Sequence, residues 1–259
     1  MRTENFHDLR YLRLDSRHLP VYLYVLNGLL VDTGFTRCRK DVQSFLREEK
    51  PTQAVITHHH EDHSGNVAAV ISSGVQVWAP QRSLEPIEHG FRVELYRWRI
   101  WGYPEHARCQ VLPEELQAGR LAVRAIAAPG HSDDMTVLHV PERGWLFAGD
   151  LFISRRLRFL RDDEDPIALI ASLERALALD FVTLMCAHRG IIADGRAQLQ
   201  AKRDYLAGLR DQILELAKQG MSPRQITRRA LGREQGIYYF TNGKFSAINF
   251  VRGFLRELK

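Results

Sequence analysis

Cysteine is scarce in this 259-residue chain and badly placed for a structural role. Cys38, Cys109 and Cys186 are an odd number at wide spacing with no CxxC pair, so neither a disulfide framework nor a cysteine-built zinc site is expected. No apolar run approaches the roughly 20 residues that span a bilayer. The opening "MRTENFHDLRYLRLDSRHLP" carries charges throughout and lacks the apolar core of a secretory signal. A cytoplasmic location and no membrane partner are therefore expected. Internal repeats, low-complexity tracts and linkers are also missing, so the end of the chain is expected to pack on the rest.

What is present suits one large core, or one core with a small appendage: 45% of residues are hydrophobic and 26% charged. The net charge of +5 is modest but uneven, because residues 195–259 hold 13 Lys or Arg against 5 Asp or Glu. A basic appendage attracts nucleic acid or a small anionic substrate, and charge alone does not choose between them.

Short runs of Val, Ile and Leu alternate with amphipathic segments, the pattern of a layered α/β protein. "VYLYVLNGLLVDTG" reads as a hairpin turning at Asn27-Gly28. "RKDVQSFLREEK" has helical spacing and stops before Pro51, "TQAVIT" is a buried strand, "GNVAAVISSG" a helix closed by Gly74, and "VQVWAP" a further strand. Residues 81–108 are the least regular, and "FRVELYRWRIWGYPEH" interleaves arginines with aromatics. It reads equally as a substrate-channel lining, with Trp101 and Tyr103 as candidates, or as a helix whose aromatics pack down while its arginines face water. "LAVRAIAAPGH", "MTVLHV" and "GWLFAGD" are three more strands. "DPIALIASLERALALD" is a helix capped by Asp165, and "FVTLMCAH" reads as the last strand. From residue 195 onward, three helical segments form a basic subdomain, 195–259, appended to a catalytic domain, 1–194.

Polar residues fall where those strands end. His58 follows "AVIT", His131 follows "AIAAPG", Asp150 follows "WLFAG" and His188 follows "VTLMCA". In layered folds the carboxyl ends of strands converge on one rim. "THHHEDHSG" would add His60, Asp62 and His63, making five imidazoles and two carboxylates with no thiolate. That set suits zinc, iron or manganese and exceeds what one catalytic ion needs. In an extended loop His58 and His60 point to the same side and can grip one ion, with Asp62 and His63 reaching a second. Asp150 could bridge two ions roughly 3.5 to 4 Å apart. His59 would point the other way, as a hydrogen-bonded neighbour of the ligands, and Glu61 likewise. His7, His18, His89, His106 and His139 lie outside these motifs and read as ordinary surface or core residues. "RRLRFLR", Arg155 to Arg161, reads as a solvated basic loop.

"THHHEDHSG" resembles the HxHxDH signature of the metallo-β-lactamase superfamily, and "PGHS", "FAGD" and "CAH" are similar to its later motifs, in order. The likeness covers roughly residues 15–195. It implies an αββα sandwich with the site on one edge of two sheets. By position, His58, His60 and His131 would hold the first metal and Asp62, His63 and His188 the second, with Asp150 between them. Asp32 of "LLVDTG" would orient a ligand-bearing loop. The implied cofactor is two divalent ions, zinc first, with iron or manganese as alternatives. A metal-bridging hydroxide would be the nucleophile, and Asp62 would accept or shuttle a proton.

The resemblance extends to glyoxalase II, a thioesterase with a helical C-terminal domain, and to acyl-homoserine lactonases. It implies a dinuclear hydrolase of a small ester, thioester or lactone. Two alternatives stay open: a mononuclear iron enzyme like persulfide dioxygenase, and a nucleic-acid phosphodiesterase. The expected partner is a small substrate, anionic if the basic tail meets it; nucleic acid is disfavoured, and a homodimer is compatible with the sequence.

Overall fold

β-branched and aromatic runs pair side by side, and two-residue alternation decides which face of the sheet each side chain takes. The computed structural model describes residues 2–16 and 19–258. His18 lies outside the described residues. β1 (Arg2–Phe6), β2 (Leu9–Leu14), β3 (Val21–Leu26), β4 (Leu29–Val31), β5 (Gln53–Val55), β6 (Gln76–Ala79) and β7 (Gln110–Val111) form a seven-stranded sheet in that order. The first four are antiparallel, and β4 to β7 run parallel. Asn27 and Gly28 both have positive φ, 45° and 86°, as a type I′ turn requires.

A second sheet has the order β14-β13-β11-β10-β9-β8. Its members are β8 (Glu115–Ala118), β9 (Leu121–Ala127), β10 (Thr136–Val140), β11 (Trp145–Gly149), β13 (Thr183–Cys186) and β14 (Gly190–Ile192), and β12 (Leu160–Arg161) lies outside it. Along β3 the alternation is explicit. Val21, Leu23 and Val25 join Val42 and Phe45 of α1 (Arg39–Glu49) and Val67 and Val70 of α2 (Val67–Ser72) in one cluster. Tyr24 and Leu26 turn the other way and meet Leu138, Phe147 and Met185 of the second sheet. Two further helices, α3 (Leu84–His89) and α4 (Leu95–Trp101), occupy the irregular stretch between β6 and β7.

Both sheets belong to one compact unit, residues Met1–Ala127, Asp134–Ile153 and Asp180–Gly195. The second unit comprises Ala128–Asp133, Ser154–Leu179 and Arg196–Lys259. In it, α5 (Pro166–Leu177) starts at Asp165, whose carboxylate accepts from the Ile167 and Ala168 amides. α6 (Gly195–Lys218), α7 (Pro223–Ala230), α8 (Gly236–Phe240) and α9 (Ile248–Phe254) follow. α9 packs on α5 and α7. β12 pairs with β15 (Phe245–Ser246).

"FVTLMCAH" is therefore not the last strand, because β14 pairs antiparallel with β13 and β15 comes later still. β14 is three residues long and β15 two, too short to show alternation. β1 also escapes the sequence pattern, since it is a sheet edge with mostly exposed side chains. Among the described residues no helix is long and apolar enough to cross a membrane.

Candidate functional site

Three strands of the first unit run out into buried polar loops. β5 continues through Ile56 and Thr57 to His58, β11 ends at Gly149 before Asp150, and β13 leads through Ala187 to His188. His58, His60, Asp62, His63, Asp150 and His188 are all at most 7% exposed. Beyond His60 the loop is a tight turn and not an extended segment: the amides of His63 and Ser64 both donate to the His60 carbonyl, at 3.0 and 2.8 Å. Gly65 permits it, because a Cβ there would lie 2.4 Å from the Glu61 carbonyl oxygen and 2.6 Å from that of Gly34.

The turn brings Asp62 and His63 beside His188 and Asp150. Nε2 of His188 lies 3.1 Å from Oδ1 of Asp150 and 3.4 Å from Oδ2 of Asp62. Nε2 of His63 lies 3.4 Å from Oδ1 of Asp150. Asp62, His63 and His188 thus offer three ligand atoms to one point, and His58, His63 and Asp150 another three. Nε2 of His58 and Nδ1 of His60 are 2.8 Å apart. These donors fit a divalent ion: they are imidazole and carboxylate only, and Nε2 of buried His63 has no hydrogen bond of normal geometry.

The far sides of the rings show why those nitrogens are available. Nδ1 of His63 lies 2.8 Å from Oδ2 of Asp32, and Nδ1 of His188 lies 2.9 Å from the Pro20 carbonyl. Carboxylate and carbonyl oxygens only accept, so each Nδ1 carries a proton and Nε2 is the nitrogen left to bind a metal once it gives up any second proton. Asp32 also accepts from the Thr57 amide, 2.8 Å, and from its hydroxyl, 3.0 Å. It adopts a left-handed φ of 61°, uncommon for a residue with a side chain and typical of sites where function holds the backbone. In the second unit, His131 follows the end of β9, and its Nδ1 lies 2.6 Å from Oε1 of Glu164. Oε2 of the same carboxylate accepts from the Arg161 amide at 2.8 Å.

Burial lowers the basicity of His63, but Asp32, Asp150 and Asp62 outweigh it and hold the imidazolium well above its ordinary range. For His188, burial is again opposed by Asp150 and Asp62, and the net direction is upward. Glu61 is pushed up by burial despite the opposing Arg97 guanidinium.

His59 belongs to none of the ligand groups among the described residues. Its amide and Nδ1 both meet Oδ2 of Asp134 at 2.8 Å. Trp101 is buried against Phe35, with ring centroids 4.8 Å apart, and stands 6.5 Å from the His188 ring. Tyr103 is 60% exposed. Of the two readings of this stretch, the one in which its arginines face water fails at Arg97, which is buried and paired to Glu61. Thr57 and Glu164 were not singled out from the sequence. A hydroxyl just before the histidine run is a weak signal for the first. For the second there is none, since 33 residues separate it from His131.

Residues 19–188 match the metallo-beta-lactamase superfamily. The chain belongs to that superfamily, and its two sheets and helices are the αββα sandwich with a helical C-terminal part. It is 32% identical over 171 residues to a hydroxyacylglutathione hydrolase of Albidiferax ferrireducens, covering 62% of this chain and 58% of that protein. A hydroxyacylglutathione hydrolase of Rhodobacter capsulatus is 27% identical over 207 residues, 77% of this chain and 72% of the relative. The chain thus spans less than two thirds of the first relative's length. A solved β-lactamase domain protein from Burkholderia ambifaria has the same fold, with a TM-score of 0.74 over 99% of this chain and 89% of its own at 19% identity.

Proposed function

We propose that the chain is a dinuclear metal-dependent hydrolase that cleaves a small thioester, ester or lactone. One observation carries this reading: Asp62, His63, Asp150 and His188 converge in a buried cluster where two imidazoles present Nε2 to carboxylate oxygens 3.1 to 3.4 Å away. His58, His60 and His131 would hold one ion, His131 being assigned on the family motif "PGH", and Asp62, His63 and His188 the other. Asp150 would reach both. Bound there, the pair of ions would supply an activated water at neutral pH and polarise the substrate carbonyl.

The chain's own residues do the rest. Asp32, Pro20 and Glu164 hold the three Nδ1 protons, so that Nε2 of His63, His188 and His131 is the nitrogen each ring would offer to an ion. Asp62, 7% exposed, would take a proton at a carboxylate oxygen and pass it to the leaving group. Thioesters are favoured among acyl substrates by the likeness to hydroxyacylglutathione hydrolases. A complete second trio, Asp62, His63 and His188, favours two ions over a single iron.

The test is metal content measured beside a panel of thioesters, esters, lactones and phosphodiesters. Two ions per chain with acyl hydrolysis are expected. One iron per chain with oxygen uptake on a persulfide, or turnover of phosphodiesters alone, would overturn the reading.

A further inference from the structure

Glu61 stands between His60 and Asp62 yet takes no part in the ligand groups among the described residues. Its side chain is 1% exposed and points to Arg97 on α4. The guanidinium grips it in a fork: Nε donates to Oε1 at 2.7 Å and Nη2 to Oε2 at 2.5 Å. Arg97 is itself buried, and its Nη1 lies 3.7 Å from Oε2 of Glu94. The helix that carries it is fastened to the loop following Asp32. Thr36 Oγ1 donates to the Trp101 carbonyl at 3.2 Å, and Arg37 Nη2 to that of Trp98 at 3.0 Å. α4 therefore ties together the two loops whose Asp32 and His63 meet at 2.8 Å.

We infer that Arg97 is a positioning residue for the candidate metal site: by taking both oxygens of Glu61 it fixes the 58–63 turn so that His60 and Asp62 present their ligand atoms. The inference rests on the metal-site reading above. A buried carboxylate must be paired, and without Arg97 the charge of Glu61 would be left unpaired between His60 and Asp62, so the turn that carries them would shift to satisfy it. Bidentate geometry also specifies orientation, which a single ammonium does not.

The experiment titrates the metal-free chain with zinc against a competing chromophoric chelator, with melting temperature followed in parallel. Arg97→Met should weaken at least one of the two zinc equivalents about 10- to 100-fold, the range for partners of ligand-bearing groups. Glu61→Gln keeps the shape but gives up one arm of the fork, so its loss of affinity should be smaller than that of Arg97→Met. Glu61→Leu combined with Arg97→Met removes the buried pair together and leaves only the partly exposed Glu94 without its cation, so it should fold while still losing affinity. If that double variant takes two zinc ions as tightly as the native chain, the positioning role is wrong and the pair is only a packing feature. A native chain that binds fewer than two ions overturns the dinuclear reading instead. Two ions with no acyl hydrolysis overturns the proposed reaction while leaving the effect of Arg97 measurable.

Discussion

Two segments stand out in this sequence for crowding one kind of side chain, "THHHEDH" at Thr57 to His63 and "RRLRFLR" at Arg155 to Arg161, and the structure treats them in opposite ways. In the first, every imidazole but His59 is buried, and the rings of His58, His60 and His63 are held by neighbouring nitrogens and oxygens. In the second, Arg155, Arg156 and Arg158 are exposed and form no ion pair among the described residues. Only Arg161 resembles the first group, buried on Asp163 with its amide bonded to Glu164, the partner of His131. Composition marks where chemistry is concentrated, but burial with fixed partners decides whether it can be directed.

The strongest way to break the contrast is Asp150→Ala, because that carboxylate lies within 3.4 Å of both His63 and His188. Loss of a ligand should exceed the 10- to 100-fold effect of losing a ligand's partner, so we expect uptake of no more than one ion and acyl hydrolysis reduced by more than about 100-fold. Equilibrium dialysis and initial rates measure both. Survival of two ions would remove Asp150 from the site.

Next in size are the residues behind the rings. Asp32→Asn keeps a side chain tolerant of the left-handed φ but weakens acceptance from His63, and Glu164→Gln does the same for His131. Each should cost about 10- to 100-fold in affinity for one ion only. Competitive zinc titration distinguishes them, since the two losses should fall on different equivalents and add in the double variant.

Removing the metal exposes the electrostatics of the cluster. In the metal-free chain the imidazoliums of His63 and His188 are raised by Asp32, Asp150 and Asp62 against the effect of burial. A base raised in the folded state stabilises it fully below its unfolded value, about 6.5, and loses that contribution as pH rises through the folded value. The melting temperature of the chelator-treated chain should therefore fall as pH is raised above 6.5. The increment on adding zinc should grow over the same window, because protons compete with metal for Nε2. Calorimetric scans at several pH values, with and without zinc, check the sign.

How much of this could be read from the chain follows the same division. The hairpin at Asn27-Gly28, the strand before His58 and the cap at Asp165 were legible, since each depends on local backbone preference or alternation. The ligand candidates came from the order of a family motif, and the structure gathers His58, His63 and Asp150 in one group and Asp62, His63 and His188 in another. What stayed hidden is nonlocal: Glu164 behind His131, the Pro20 carbonyl behind His188 across 168 residues, and Arg97 under Glu61. A backbone carbonyl carries no residue-type signal, and an arginine among aromatics looks the same whether it faces water or a buried carboxylate. The turn after His60 was misread as extended because it depends on Gly65 meeting Gly34, residues 31 apart.

The smallest effect should come from the exposed arginines. Replacing Arg155, Arg156 and Arg158 together by glutamine keeps much of each stem while lowering the net charge from +5 to +2, three charges fewer. If these side chains are solvated, each change should alter stability by no more than about 0.5 kcal/mol and leave zinc affinity unmoved. An anionic substrate would still feel their field, so its KM should rise modestly at low salt and approach the native value as ionic strength shortens the screening length below about 10 Å. A salt-independent rise in KM would instead mean direct contact between these guanidiniums and the substrate. Loss of a zinc equivalent would place the loop inside the metal site and erase the contrast with "THHHEDH".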